Sequence, residues 1–346
     1  MFDVAIVGAG PSGTVAAKIC ANNKLNTLLI EKRPLPRDKP CGGFLTPSAL
    51  RIIQENFGKI PQNLVESQPN DIILLPKCDL HQPISGVSVY RRTFDYWLTQ
   101  KTEEAGAVIH NTALRSLSQK HDYIVMEFKR NNLKQEISAK YIVGADGVGS
   151  AIRSFLYPNQ KRQMAGAYQA YVEGLLPKEA VYIYFPLKEP RVTFFWAIPK
   201  KNVVVVGVGG LPPINLKKHM QNFLSMVKET SGLGRVLKYE THPIPIFSPS
   251  NYKLGEKRIL IVGDAASLAN PFTGEGIHSS LMSGKLASEA IIKNFKEPSQ
   301  VFRTYKKKLR PLLTRLREMH TLFTYYQSLD YVKRQSFLED YFEAYI

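Results

Sequence analysis

The sequence predicts an α/β protein: a parallel-sheet domain, interrupted by a mostly antiparallel β-rich insertion and followed by C-terminal helices. Three observations predict it. A strand, a glycine-rich turn, a helix and a second strand fill the first 31 residues; residues 156–255 are dense in β-type runs; and a buried strand ending at Gly263-Asp264 returns to the opening pattern late in the chain. Both ends of the chain therefore share one discontinuous domain, 1–70 with 91–155 and 256–295. Residues 71–90 and 156–255 form the inserted β-rich domain, and 296–346 a helical region.

Residues 3–7 read as a buried strand entering Gly8-Ala9-Gly10-Pro11-Ser12-Gly13, with a helix over 14–21 and a strand over 26–30 that ends at Glu31. This is the order of a Rossmann-like dinucleotide-binding βαβ unit. Gly8 permits the sharp turn, Gly10 leaves backbone bare for a pyrophosphate, and Gly13 lets the helix pack close to the sheet. The helix N-terminus offers unpaired N–H groups and a positive dipole end to phosphates. Glu31, 18 residues past Gly13, is spaced to accept the hydroxyls of an adenosine ribose.

From Lys32 to Cys41-Gly42-Gly43 the proline- and base-rich segment predicts a bent loop, running from the ribose end of the cofactor toward its reactive ring. A helix follows over 46–55, then short β runs at 72–75 and 87–90. Arg91 opens a helix with Phe94, Trp97 and Leu98 on its apolar stripe. Strands at 108–111, 124–129 and 136–139 lead into a hydrophobic strand, the Gly144-Ala145-Asp146-Gly147 turn and a helix start near Ser150. The insertion carries strands at 167–173, 181–185, 192–199 and 203–209 and an amphipathic helix over 216–230. Asn270-Pro271-Phe272-Thr273-Gly274-Glu275-Gly276-Ile277 then opens a helix reaching about residue 292, whose N–H groups suit an anionic ring edge.

Composition excludes several classes. Cys20, Cys41 and Cys78 have no CxxC spacing, so neither a disulfide framework nor a zinc site is expected. No apolar run approaches the ~20 residues of a spanning helix, and Met1 leads directly into a core strand, which predicts a cytoplasmic protein without a signal peptide. The net charge of +17 attracts anions, but the basic residues are not interleaved with aromatics as a base-stacking groove requires, so no nucleic-acid partner is expected. Residues 303–317 hold seven cations and no acid, with Phe302, Tyr305, Leu309, Leu312 and Leu316 on one helical face. Such a helix suits peripheral contact with a membrane's inner face or packing on the domain. The aromatics beyond it (Phe323, Tyr325, Tyr326, Tyr331, Phe337, Tyr341, Phe342, Tyr345) predict a helical hairpin closing a cavity.

Taken together, the 8–13 turn with Glu31, the 144–147 turn with Arg153, and Gly263-Asp264 with Pro271 and Gly276 resemble the group A flavoproteins, the FAD-dependent p-hydroxybenzoate hydroxylase-like superfamily, across most of residues 1–295. Within it the chain resembles the geranylgeranyl reductase family: Lys39-Pro40-Cys41-Gly42-Gly43 matches its flavin-side loop. Phe194-Phe195-Trp196-Ala197-Ile198-Pro199 followed by Gly207-Val208-Gly209 is similar to its YxWxFP…GxG signature, with Phe194 and Ile198 departing from it. The resemblance implies FAD as cofactor, and NAD(P)H or ferredoxin as electron donor. It implies that Gly8, Gly10, Pro11, Ser12, Gly13, Glu31 and Lys32 serve the ADP half, with Ala113 at the adenine and Arg91 in the phosphate region. Asp264 would hold the ribityl and pyrophosphate part, Pro271, Gly274, Gly276 and Ile277 the flavin's pyrimidine edge, Cys41, Gly42 and Gly43 the flavin side, and Asp146 the region that meets the reductant.

The implied reaction is reduction of C=C bonds in a polyprenyl lipid: a hydride to one alkene carbon and a proton to the other, with water excluded. Cys41 is the candidate proton donor, since a neutral thiol tolerates apolar surroundings. Trp196 and Phe194 are the candidate substrate walls, with Tyr182 and Tyr184 expected on the same face. The rival readings are an FAD-dependent monooxygenase of an aromatic or lipid substrate, a flavin halogenase, whose WxWxIP motif lacks its first tryptophan here, and a non-catalytic flavin-bearing factor.

Overall fold

Two large sheets divide the chain in the computed structural model, which describes residues 1–75, 80–130, 133–189 and 191–345; Cys78 lies outside them. The first third runs β1 (Phe2–Val7), α1 (Pro11–Asn22), β2 (Thr27–Glu31), β3 (Phe44–Leu45), α2 (Pro47–Phe57), β4 (Asp71–Leu75), β5 (Leu80–Pro83), β6 (Val87–Ser88), α3 (Arg91–Glu103), β7 (Val108–Asn111) and β8 (Leu114–Gln119). The middle runs β9 (Ile124–Arg130), β10 (Leu133–Gly144), α4 (Ala151–Leu156), β11 (Met164–Glu173), β12 (Val181–Tyr184), β13 (Val192–Pro199), β14 (Val203–Gly210), α5 (Leu216–Ser231) and β15 (Val236–Pro245). The last part runs β16 (Gly255–Glu256), β17 (Ile259–Ile261), α6 (Gly263–Ala266), α7 (Ile277–Lys293), α8 (Pro298–Lys308), α9 (Arg310–Ser328) and α10 (Tyr331–Tyr345).

The first sheet is ordered β16-β17-β10-β1-β2-β7, with β17, β10, β1, β2 and β7 parallel to one another, β16 antiparallel to β17, and β8 and β9 joined antiparallel through β10. Its central strands are buried on both faces, which is why they read as unbroken apolar runs. Helix α7 crosses α1 closely at Gly284, where a Cβ would stand 2.2 Å from Ser12 O. The second sheet is ordered β15-β11-β14-β13-β12-β4-β5 and is antiparallel except for the β12–β4 pair. One face packs under α5 through Phe195, Val206, Val208 and Phe223.

Several details differ from the sequence reading. The two strands expected at 136–139 and 139–144 are one strand, β10, whose first half pairs with β9 and whose second half pairs with β1. Strands β5, β8 and β15 were unexpected; their polar and charged residues break any clean alternation. The helix expected across 303–317 is two, because Pro311 cannot donate a helical hydrogen bond and so falls in the first turn of a new helix, α9. Tyr182 and Tyr184 lie on the α5 side, not with Trp196: Tyr184 packs on Phe195 and Phe223, and the residue level with Trp196 is Ile183.

Candidate functional site

The floor of the site is the β1–α1 turn. At Gly8 (φ +109°) a Cβ would lie 2.2 Å from Ala145 O, and at Gly13 it would lie 1.8 Å from Gly8 O. Both positions are closed to any side chain. Gly10 differs: a Cβ there meets nothing nearer than Arg37 Nη2 at 3.9 Å, so the backbone is bare toward the cleft rather than crowded. Pro11 stands in the first turn of α1, where its missing N–H costs nothing.

Glu31 ends β2 and is buried. Its Oε2 accepts from Ala9 N at 3.1 Å and its Oε1 from Arg33 N at 3.1 Å. Arg37 Nε stands 3.1 Å from Glu31 Oε2, not aimed as a hydrogen bond, while Nη1 donates to Asp95 Oδ2 at 3.1 Å. Arg91, expected in the cofactor's phosphate region, grips Asp95 in a two-pronged pair at 2.7 and 2.9 Å, and it also contacts the Cys41 sulfur. Burial disfavours its charge, but Asp95 outweighs that and holds Arg91 above its usual range. A buried chain Glu31–Arg37–Asp95–Arg91 therefore joins the ribose end of the cleft to the Cys41 loop. Lys32 and Ala113 lie exposed beside it, Ala113 just past Thr112, whose N–H donates to Glu31 O at 3.0 Å.

The late chain closes this floor. Asp264 on α6 is 3.2 Å from Lys39 Nζ; burial pushes its carboxyl up, but Lys39, His242 and Arg91 together outweigh that and keep it below the usual range. Gly276, at the N-terminus of α7, has its missing Cβ 3.3 Å from Asp264 Oδ1. Gly274 (φ +65°) turns the chain after buried Pro271. Glu275 accepts from His278 N at 2.7 Å and so caps α7, next to Ile277. Asp146 is also a cap. Its carboxylate accepts from Ser150 Oγ, Ala151 N and Ile152 N at 2.6, 2.7 and 3.2 Å, which starts α4. Arg153, buried behind it, braces α4 against Ala265 O and Asn251 O.

The roof is the second sheet. Antiparallel register puts Phe194, Gly209, Ala167 and His242 in one cross-strand row and Trp196, Gly207, Gln169 and Glu240 in the next. The two glycines have a steric purpose. A Cβ on Gly207 would fall 2.1 Å from Trp196 Cζ2, and one on Gly209 would fall 3.7 Å from Cζ3, so the indole lies across bare strand. Its Nε1 is 3.7 Å from where a Gly42 Cβ would be, which brings Trp196 to the Cys41 loop. Phe194 continues the apolar wall, with ring centroids 5.7 Å from Trp196 and 6.1 Å from Phe185. Phe185 stacks on Phe272, which also meets Phe323, Tyr326 and Phe337 of α9 and α10. The side chains of Tyr341, Phe342 and Tyr345 lie outside the described residues.

Lys200 locks floor to roof. It is 2% exposed, and its ammonium donates to Gly42 O at 2.9 Å and Val89 O at 2.8 Å and faces the Tyr90 ring. Burial pulls it down to about 7. Gly43 (φ +72°) has to be glycine, because a Cβ would meet Val89 O at 2.0 Å; its N–H donates to Cys41 Sγ at 3.3 Å. His242 is held down to about 4 by burial and by the cations Lys39, Arg91 and Arg33, against the pull of Asp264. Sequence reading missed Arg37, Asp95, Lys200, His242 and Phe272. The one available signal was Arg91 and Asp95 four apart on a helix with buried flanks.

Four buried side-chain nitrogens or oxygens among the described residues have no hydrogen-bond partner, and three of them, Arg37 Nε, Trp196 Nε1 and His242 Nε2, border this cleft. A buried unpaired polar atom costs about 1–3 kcal/mol, so the cleft fits a ligand with polar atoms spread along its length. An extended dinucleotide starting at Glu31, crossing Gly10 and ending beside Gly42 and Trp196 has that shape, and the layout is that of an FAD-dependent oxidoreductase.

Residues 1–319 match the FAD binding domain family, and the chain belongs to it. It is 26% identical over 328 residues to Protein CbrA of Escherichia coli O6:H1, covering 89% of this chain and 86% of that protein. It is 30% identical over 318 residues to an uncharacterized protein of Methanosarcina barkeri, covering 85% of this chain and 76% of that one. In fold it is similar to a geranylgeranyl bacteriochlorophyll reductase-like protein of Thermoplasma acidophilum (TM-score 0.83, 20% identity, 100% and 92% of the two chains). It is also similar to p-nitrophenol 4-monooxygenase of Pseudomonas putida (TM-score 0.81, 14% identity, 99% and 94%) and to the flavin-dependent halogenase CmlS (TM-score 0.76, 20% identity, 94% and 65%).

Proposed function

We propose that this protein is an FAD-dependent reductase of C=C bonds in a polyprenyl, geranylgeranyl-type lipid or a similar hydrophobic substrate. The observation that carries the reading is the continuous aromatic wall from Trp196 through Phe194, Phe185 and Phe272 to Phe323 and Tyr326, which begins at the Cys41 loop. The likeness to the geranylgeranyl reductase-like fold supports it. When bound and reduced, FAD would supply a hydride; its two electrons would come from NAD(P)H as a hydride, or from ferredoxin one at a time with a proton taken from solvent.

The chain's own residues do the rest. Glu31 and Ser12 would hold the ADP half, with Lys32 and Ala113 at its exposed end, and Arg37, beside Gly10, would hold the pyrophosphate. Asp264 would bond the ribityl part, while the Gly276 and Ile277 N–H groups would serve the pyrimidine edge. Trp196 and Phe194 align an alkene and exclude water, so that the hydride and the proton are not lost to solvent. Cys41 gives the proton to the second alkene carbon, leaving its sulfur beside the Arg91 guanidinium and near the Lys200 ammonium.

The test is anaerobic: dithionite-reduced protein with geranylgeranyl lipids, followed by product mass. A gain of two hydrogens per reduced bond is expected, and Cys41→Ala with FAD retained slows it at least about 10-fold. No mass gain on any polyprenyl compound, with oxygenation of an aromatic substrate in air, assigns the protein instead to the monooxygenases, whose fold it equally shares. Unchanged turnover in Cys41→Ala removes the thiol from the mechanism.

A further inference from the structure

The apolar stripe that a lipid-lying helix would need is not available. Tyr305, Leu309, Leu312 and Leu316 are buried in the parallel-sheet core, where Tyr305 OH donates to Ile261 O at 2.9 Å. What stays outside is cationic. Arg303, Lys306, Lys307 and Arg310 line one shallow concavity where α8 passes into α9, and none has an ion-pair partner among the described residues; Lys308, by contrast, pairs with Glu289 at 2.6 Å. The exposed stripe continues along α9 at helical spacing through Thr314, Arg317 and Thr321 to Tyr325. Glu318 is the single acid of α9, and Asp330 beyond it pairs with Lys333. The strip ends in three large side chains left in solvent, Tyr325 at 56%, Tyr331 at 55% and Val332 at 58% exposed. The inner side of α9 and α10, through Phe323, Tyr326 and Phe337, packs on Phe272 in the aromatic wall.

We infer that this strip is a docking surface for an anionic lipid bilayer: the four cations sit on headgroup phosphates, and the α9–α10 turn dips Tyr331 and Val332 to the level of the acyl boundary. Four neighbouring unpaired cations repel one another until anions stand opposite them. The apolar tip at the end of the cationic strip favours a bilayer over a nucleic acid or a free phosphate, neither of which gives Val332 anything to enter. With one side of α9 and α10 on the membrane and the other on the aromatic wall, a polyprenyl substrate reaches the cleft without crossing water. That use of the surface rests on the lipid-reductase reading; the surface itself does not.

The experiment is sedimentation of the FAD-loaded protein with vesicles of phosphatidylcholine alone and of phosphatidylcholine mixed with phosphatidylglycerol. Binding to the mixed vesicles only, weakening as salt rises, is expected. Arg303→Ser, Lys306→Ser, Lys307→Ser and Arg310→Ser together, all exposed positions, reduce it about 100-fold or more with FAD content unchanged. Tyr331→Ser with Val332→Ser reduces it about 10-fold and leaves the salt dependence alone. Equal binding to both vesicles, no loss in the four-residue variant, displacement by inorganic phosphate, or tighter binding to single-stranded DNA each overturns the proposal. Vesicle binding by a protein that reduces no polyprenyl lipid keeps the surface and discards the substrate; reduction of detergent-dispersed lipid without vesicle binding does the reverse.

Discussion

The floor and the roof of the cleft solve the same problem by different means. On the floor, backbone does the work: Gly8 and Gly13 are forced by contacts of 2.2 and 1.8 Å, and Gly10 alone is left facing the cleft. On the roof, side chains do it: Trp196 lies over Gly207, and buried Lys200 and His242 reach down to the floor's loops. The difference teaches where information about a site is stored. A backbone cradle is fixed by local spacing, whereas a side-chain roof depends on partners far away in sequence.

The comparison breaks first at the one charged group that joins the floor's two ends. Arg37→Met leaves Glu31 and half of Asp95 buried without their cation, and is expected to cost about 3–5 kcal/mol in denaturant unfolding. A loss under about 1 kcal/mol means the chain of charges does not support the fold.

The glycine contrast comes next. Gly13→Ala is expected to destabilise by about 3 kcal/mol, while Gly10→Ala changes stability by less than about 0.5 kcal/mol and weakens FAD binding in an absorbance titration. Equal effects at the two positions would erase the distinction between a crowded and a ligand-facing glycine.

Lys200 sharpens the roof. Its folded value of about 7 lies below the ordinary 10.5, so the unfolded chain holds more protons between the two, and stability rises with pH across that window, by at most about 1.4 kcal/mol per pH unit. Lys200→Met leaves Gly42 O and Val89 O without that donor and is less stable at neutral pH, but it lacks this rise; unfolding curves at several pH values separate the two effects.

A smaller effect is expected at Gly207→Ala. The added methyl meets the indole at 2.1 Å, so Trp196 must move; KM for the lipid rises about 10-fold while FAD stays bound. The smallest belongs to His242. Held at about 4 against an ordinary 6.5, it makes stability fall as pH drops from 6.5 toward 4, and His242→Gln flattens that part of the acid limb.

These regions also differ in how far the sequence revealed them. The βαβ unit with Glu31 at its end, the 271–277 turn and strands 108–111, 192–199 and 203–209 were legible because turn glycines and apolar runs carry their requirement within a few residues. Arg37, Lys200 and Lys39 were not, since their partners lie 58, 158 and 225 residues away. Strand β15, with polar or charged residues along most of its length, hid His242 because its pairing with β11, not its pattern, makes it a strand. Tyr182 and Tyr184 were put on the wrong face because only the register of β12 against β13 fixes which residue stands level with Trp196. The intramolecular partners of Asp146 and Arg91, a helix cap and Asp95, were likewise not visible in their motifs.

The central claim is that floor and roof together enclose one FAD whose reactive end lies under Trp196. The most direct measurement is titration of purified protein with FAD, following tryptophan fluorescence in the wild type and in Trp196→Phe. One FAD per chain, with quenching that falls sharply in the variant while affinity is kept, is the predicted result. No flavin retained, or quenching unchanged without Trp196, contradicts it.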